Sequence, residues 1–424
     1  MSVVVEPGYE DVVCRYLCNA ERRVPTELEC TPLVIEPNNF SSSDFLQQFL
    51  EHNSETLVQD IARYGAVLLR GFEINSQQSL EKTILSIHGM RGMRDILFQL
   101  PGRQRAVANT QFVFPTSITS RLEKTGGSLK FDLFHSENYG FPDVPSYLTF
   151  LCVSPCRLGG ETGMLNVAKL YASLSDDLKL RLESTACLVQ LHSIPAWSVK
   201  YKISSDVMID FVKSINLPIV ELLGIPYVAV FKPSVFEHPI TRERTLSVNF
   251  NWLPNLQDAV VDAFLADYKG IRWAAHRISW RSPLYRRLSR AFARLNKGSD
   301  DGIYVVGNSP LPNTYSLSDL LSAGDVRSIA SAMRRCYSAF VWKKSDVLLV
   351  DNLKIAHTGM PGRGARALNI MMCNPLRFPA DFSHVGYQKI TALHQMQDCL
   401  GSELLRFGNY SGGPEAHPRS RTDL

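Results

Sequence analysis

From residue 128 onward the chain is dominated by short β-prone runs, each cut off by Gly, Pro, Asn or Asp. LKFDLFH (129–135), SYLTFLCV (146–153), YVAVF (227–231), TLSVNFNW (245–252), SAFVWK (338–343), DVLLVD (346–351) and RALNIMMC (366–373) are the clearest. Each is too short to bury itself as a helix, and each is bounded by turn formers, which is the pattern of strands. Helical periodicity frames them, at residues 43–64, 77–92 and 167–184, with a short buried strand, AVLLRGF, at 66–72. The expected fold is therefore mainly β with flanking helices (α+β), a β-sandwich or jelly roll with helices packed around it. No internal repeat is evident.

At 424 residues the chain suits one enlarged domain or two modest ones. We divide it into an N-terminal helical or irregular region (1–60), a main domain (61–408) and a polar tail (409–424) expected to be disordered. One stretch breaks the β pattern: residues 256–298 are helical in period and rich in Arg, and are read as an insert. A basic helical segment can bind nucleic acid or an acidic partner; a solvated charged face is the simpler expectation. The net charge of +4 does not call for nucleic acid, and none is expected. Nine cysteines, an odd number in a chain this large, fit reduced thiols, and neither Cys14/Cys18 nor Cys152/Cys156 has a second pair at zinc-finger spacing. The N-terminus lacks a basic stretch before an apolar one, and no uninterrupted apolar window reaches membrane-spanning length. The expectation is a soluble cytoplasmic protein with no membrane association.

In FHSENYG, His135 and Glu137 are one residue apart. On a strand, residues i and i+2 share a face, so the pair can aim an imidazole and a carboxylate at one ion. Ten histidines and forty-one acidic residues produce roughly one such triplet by chance, so the pair needs support from elsewhere. A third ligand must come from a distant segment, and His192, His238, His276 and His357 are the choices. His357 has the best surroundings, because a buried strand ends in Asp351-Asn352 just before it and a Gly/Pro loop follows. Two His and one carboxylate with open positions is the ligand set of non-haem Fe(II) oxygenases. If the co-substrate is a dicarboxylate such as 2-oxoglutarate, Arg366 can supply a fork of donors to its far carboxylate and Thr162 a hydroxyl.

AVLLRGF, the FHSE strand, PSYLTFLCVSPCRLGGETGMLNVAKLYASL and the DVLLVDN…H…G-x-R block occur in an order that resembles the taurine dioxygenase-like (TauD/TfdA) family. The resemblance runs over roughly residues 60–375, with the insert outside it, and implies a double-stranded β-helix core. It also implies Fe(II), 2-oxoglutarate and O2 as cofactor and co-substrates. In its terms His135, Glu137 and His357 resemble the iron ligands, and Arg366 and Thr162 resemble the 2-oxoglutarate anchors. Glu137 stands where many members have Asp; that a carboxylate is present at all disfavours halogenation. Ser345 replaces a common Gly, the loop after His357 reads TGMPGRG, and Ile370 stands where several members carry a second, substrate-gripping arginine.

The implied reaction is hydroxylation or desaturation of an unactivated C–H bond in a small molecule, with an amino acid or amino-acid-derived metabolite as the expected substrate. Asn138 and Tyr139, directly after the ligand pair, and Asn251 in TLSVNFNW are the candidate substrate contacts; Asn249 and His238 belong to the same patch as Asn251, and Trp197 is read as packing. Two other readings stand against this one. The same ligand set could serve a cupin-type metalloenzyme independent of 2-oxoglutarate. Alternatively the chain could be a non-catalytic module that uses its Arg-rich insert on an acidic partner or nucleic acid.

Overall fold

A computed structural model of the chain describes residues 9–24, 26–94, 106–116, 134–138, 141, 143–183, 185–215, 217, 219–222, 224–247, 254–288, 302–307, 314–316, 321–364, 366–377 and 405–407. Its centre is an eight-stranded sheet. In chain order the strands are β1 (Val12–Tyr16), β2 (Leu33–Pro37), β3 (Ala66–Leu69), β4 (Gly92–Met93), β5 (Val113–Pro115) and β6 (Asp143–Ser154), followed by two from the C-terminal part. A smaller sheet is made of β7 (Thr162–Asn166), β8 (Tyr337–Phe340) and β10 (Ile355–Gly359), while β9 (Val347–Asp351) and β11 (Ala367–Arg377) complete the large one. The large sheet runs β1-β2-β3-β9-β6-β11-β4, with β5 also on β11; the small one runs β8-β7-β10. Every pairing in them is antiparallel except β2 with β3.

Period-two alternation sorts the side chains of the large sheet into two cores. Val34, Leu68, Leu148, Phe150, Leu348, Val350 and Leu368 face the small sheet and pack with Met164, Phe340 and Ile355. Their neighbours Ile35, Val67, Leu69, Leu151, Leu349 and Met371 face the other way, onto helices α1 (Ser43–His52), α2 (Ser54–Tyr64) and α3 (Gln77–Leu85). The outer face of the small sheet, with Leu165, Tyr337, Ala339 and Ala356, is covered by further helices. The result is a sheet-rich α+β architecture of four layers. A second, six-stranded sheet includes Thr185–Ser193, Ile225–Lys232 and Gly302–Gly307.

Two expectations change and one is extended. Residues 1–60 are not only helical or irregular: β1 and β2 extend the large sheet, because the apolar run LVIEP lies in register beside β3. The helical stretch 43–64 is two helices, since Asn53 leaves helical geometry and the Ser54 hydroxyl bonds back to the carbonyls of Leu50 and Glu51. The insert does expose Arg272, Arg281 and Arg287 on a solvated charged face, but its other face is packed into the domain. Phe264, Trp273, His276 and Trp280 on its helices (Pro254–Phe264 and Ala274–Arg281) and the turn between them are buried against the small sheet's outer layer. The proposed tail, 409–424, lies outside the described residues, as does the end of the insert beyond 288. Among the described residues no helix is long and apolar enough to cross a membrane.

Arg70, just beyond β3, is only 2% exposed. Its guanidinium donates to both oxygens of Asp346 (3.0 and 2.6 Å), to Glu21 (2.7 Å) and to the Val341 carbonyl (2.8 Å). Glu21 is shared with Arg15, whose fork also grips Glu36. Removing one partner of such a network strands the others without solvent. Arg70→Met is expected to cost about 3–5 kcal/mol in urea-unfolding free energy, and Arg70→Met/Asp346→Leu to recover part of it.

Candidate functional site

The site is built where residues 134–138 add to the edge of the small sheet. His135 and His357 face each other across an antiparallel bridge and exchange both backbone bonds, N–H to O at 3.0 and 2.8 Å. On β10, Ile355 and His357 are two apart and share the inner face, so the imidazole of His357 enters the space between the sheets and meets the edge of Phe150 at 5.2 Å. The two imidazole rings lie 4.5 Å apart. Glu137, on the same side of its segment as His135, brings Oε2 to 3.9 Å from His135 Nε2 and 3.7 Å from His357 Nε2. Ligand atoms of all three lie within 4.8 Å of one another.

The donor set fits a divalent ion. Burial, and then the neighbouring His135, push the His357 imidazole well below its usual range, so it is held neutral with a lone pair to give. Its Nδ1 is buried without a partner among the described residues, so the polar contacts of the ring run through Nε2 toward Glu137. His135 and Glu137 keep 34% and 31% of their side chains exposed, against 8% for His357. The group is thus closed on the β10 side and open on the other. The carboxylate's own position is fixed from behind by Asn352. Its Oδ1 accepts the Glu137 N–H at 2.8 Å, and its Nδ2 donates to the Glu137 carbonyl at 3.3 Å and to the Pro145 carbonyl at 2.9 Å. One residue earlier, Asp351 accepts from His238 at 2.9 Å. His238 Nδ1 takes the backbone N–H groups of Ile240 and Thr241, which leaves the proton on Nε2, facing Asp351.

Arg366 and Thr162 come to the same side. Gly359 follows His357 by two on β10 and is paired with Thr162. A Cβ built on Gly359 would lie 3.0 Å from Arg366 Nη2, so the guanidinium covers the glycine on the His357 face. Arg366 Nη1 donates to the carbonyls of Gly160 (2.8 Å) and Glu161 (3.4 Å). Thr162 accepts from the Trp342 indole at 3.1 Å, which leaves the hydroxyl proton to donate.

Of the four histidines weighed as third ligand, His357 alone groups with His135 and Glu137 among the described residues. His238 serves Asp351, His192 stacks with Phe141 and Trp197, and His276 packs between Trp273 and Trp280. Asn138 is buried, has a left-handed backbone (φ 54) and carries an Nδ2 with no partner among the described residues. Tyr139, Asn249 and Asn251 lie outside the described residues. The sequence reading missed the role of Asn352 and the Asp351–His238 pair; the DN that closes DVLLVDN was legible as a strand end, not as a clamp.

Comparison with solved structures returns folds of low identity. PvcB from Pseudomonas aeruginosa is 13% identical over 89% of this chain and 98% of its own, with a TM-score of 0.47. A taurine dioxygenase from Burkholderia xenovorans is 13% identical over 87% and 95%, TM-score 0.44. AAD-2, solved with Mn(II) and N-oxalylglycine, is 12% identical over 86% and 97%, TM-score 0.43. A comparison with curated proteins gave no match. The family model "Taurine catabolism dioxygenase TauD, TfdA family" matches residues 29–372. That span takes in the small sheet, the large sheet apart from β1 and the end of β11, and His135, Glu137, His357 and Arg366, and the chain belongs to the TauD/TfdA family of Fe(II)- and 2-oxoglutarate-dependent dioxygenases.

Proposed function

We propose that His135, Glu137 and His357 hold the iron and that Arg366 and Thr162 hold the far carboxylate of 2-oxoglutarate. The reaction we assign is hydroxylation, or desaturation, of an unactivated C–H bond in a small molecule. The observation that carries this is the group of two imidazoles and one carboxylate facing one point from two separate segments. When bound, Fe(II), 2-oxoglutarate and O2 supply oxidative decarboxylation to succinate and CO2 together with the oxidising power the C–H bond requires.

The chain's own residues do the rest. The buried, neutral His357 gives the ion a fixed leg, and Asn352 fixes the backbone of the carboxylate leg. Arg366 is oriented through Nη1 by two turn carbonyls, and its guanidinium is a fork suited to a carboxylate. The two facing sheets are read as a jelly roll, which places segments distant in sequence around one cavity. Residues 61–408 are the proposed catalytic unit, with 256–298 as its insert.

The substrate side is apolar. Ile370 lies opposite Phe150, the ring that meets His357, and packs with the inter-sheet core. Ile370 brings no cation to that position, so a small sulfonate or aryloxyacetate gripped there is disfavoured. Asn138 offers a buried amide donor beside Glu137, which fits an amino acid or amino-acid-derived substrate presenting a carbonyl or carboxylate. Cys14, Cys18, Cys30, Cys152, Cys156, Cys336 and Cys373 are free thiols, which supports a cytoplasmic location.

Anaerobic titration of the apoprotein with Fe(II) and 2-oxoglutarate is expected to give the weak visible charge-transfer band of the chelate. His135→Ala loses the band, and Arg366→Ala needs far more 2-oxoglutarate to reach it; folded, iron-loaded wild type with no band overturns the assignment. Asn352→Asp keeps the size but repels the Glu137 and Pro145 carbonyls. It is expected to weaken Mn(II) binding roughly 10- to 100-fold with the fold intact by circular dichroism.

A further inference from the structure

The insert touches the co-substrate subsite. Residues 158–162 make a tight turn in which Gly159 and Gly160 both have left-handed backbones, φ 65 and 69. The turn is held to the loop after β10 by Gly160 N–H to the Pro361 carbonyl (3.0 Å) and Met360 N–H to the Glu161 carbonyl (2.9 Å). Its carbonyls at 160 and 161 are the acceptors that aim Arg366. On its other side lies Trp273, which belongs to the insert and is 4% exposed. A Cβ built on Gly159 would come within 2.6 Å of the Trp273 ring, so the indole rests directly on the glycine.

A second contact reinforces the first. The Arg23 guanidinium lies 4.8 Å from the ring centroids of both Tyr268 and Trp273, and its Nε is 3.8 Å from the carboxylate of Glu161. Arg23 also donates to the Asp267 carbonyl at 3.1 Å. Glu161 is 3% exposed and its second oxygen has no partner among the described residues. A half-compensated carboxylate at that depth is retained at a cost, and the cation held between two aromatic rings of the insert is what offsets it.

We infer that Trp273 is a positioning residue for 2-oxoglutarate, pressing the Gly159–Glu161 turn into the conformation whose carbonyls orient Arg366. The helical insert is then a buttress of the co-substrate subsite, with Trp273 as its point of contact and Arg23 as its brace. The inference rests on reading Arg366 as the anchor of the 2-oxoglutarate carboxylate. Trp273 rests on Gly159 and is outside the His135, Glu137 and His357 group, so on this reading its effect appears in 2-oxoglutarate affinity and not in metal affinity.

Calorimetry on the full-length protein separates the two. Mn(II) is titrated first into apoprotein, then 2-oxoglutarate into the Mn(II)-loaded form. Trp273→Ala is expected to raise the 2-oxoglutarate Kd roughly tenfold while the Mn(II) Kd moves by less than about twofold. Trp273→Phe, which keeps an aromatic ring on Gly159, is expected to restore most of the affinity. If Trp273→Ala is insoluble, Trp273→Leu, apolar but without a ring edge to rest on the turn, decides by the same two constants. A soluble variant that binds 2-oxoglutarate like wild type overturns the inference, as does a parallel loss of Mn(II) affinity. Arg366→Ala run alongside isolates the reading underneath: if it too binds 2-oxoglutarate normally, the anchor assignment has failed and not the buttress alone.

Discussion

A buried carboxylate stands at each end of one central strand, and the site depends on both. Asp346, immediately before β9, is gripped by Arg70; Asp351, its last residue, is gripped by His238. Each pair joins β9 to a segment far away in sequence, and neither has water to fall back on. A strand between two apolar layers could slide along its neighbours with little change in hydrophobic burial, because one Leu or Val replaces another. Buried charges remove that freedom, since a shift of two residues would leave each carboxylate facing hydrocarbon. Whether the pairs add net stability is secondary; they set register.

Register at β9 is transmitted to the metal group through a single turn. Asp351 fixes where the strand ends, and Asn352 reaches across to the main chain of Glu137. Lys354 then turns inward to the Ala62 carbonyl at the C-terminus of α2 and to Glu243. Three residues later the chain arrives at His357. The carboxylate leg and the buried imidazole leg are therefore placed by the same six residues, 352–357, although Glu137 itself comes from a segment more than 200 positions earlier. The His135–His357 bridge completes the constraint by making one backbone pair responsible for two ligands.

What was legible in the sequence follows from periodicity. His135 and Glu137 share a face because they are two apart, and Arg366 and Thr162 could be named because a dicarboxylate requires a fork and a hydroxyl. The short β-prone runs bounded by turn formers likewise anticipated a sheet-rich fold with helices packed around it. What was not legible depends on which distant group a side chain meets. Nothing in DVLLVDN says that its asparagine clamps another peptide unit. Nothing in IRWAAHRISW says that Trp273 lies on a glycine 114 positions earlier, and the arginines report only the exposed face of that segment. The break at Asn53 was hidden for a related reason: apolar spacing on either side is continuous, and only the local bonds of Ser54 interrupt the helix.

The uneven exposure of the metal group decides how a substrate reaches it. His357 is sealed between the sheets, with Phe150 against it and Ile370 beyond, so approach from the β10 side is closed by hydrocarbon. His135 and Glu137 are about one-third open, and Asn138, next along the chain, has a left-handed backbone and accepts the Phe141 N–H. A small molecule entering there would meet a polar rim first and the apolar wall last. The carbon it presents toward the ion would then be the one farthest from its polar group. That order favours a substrate with a polar end and an aliphatic end, and oxidation at the aliphatic one. On the proposed reading the wall then needs no arginine, because its part is to keep water away.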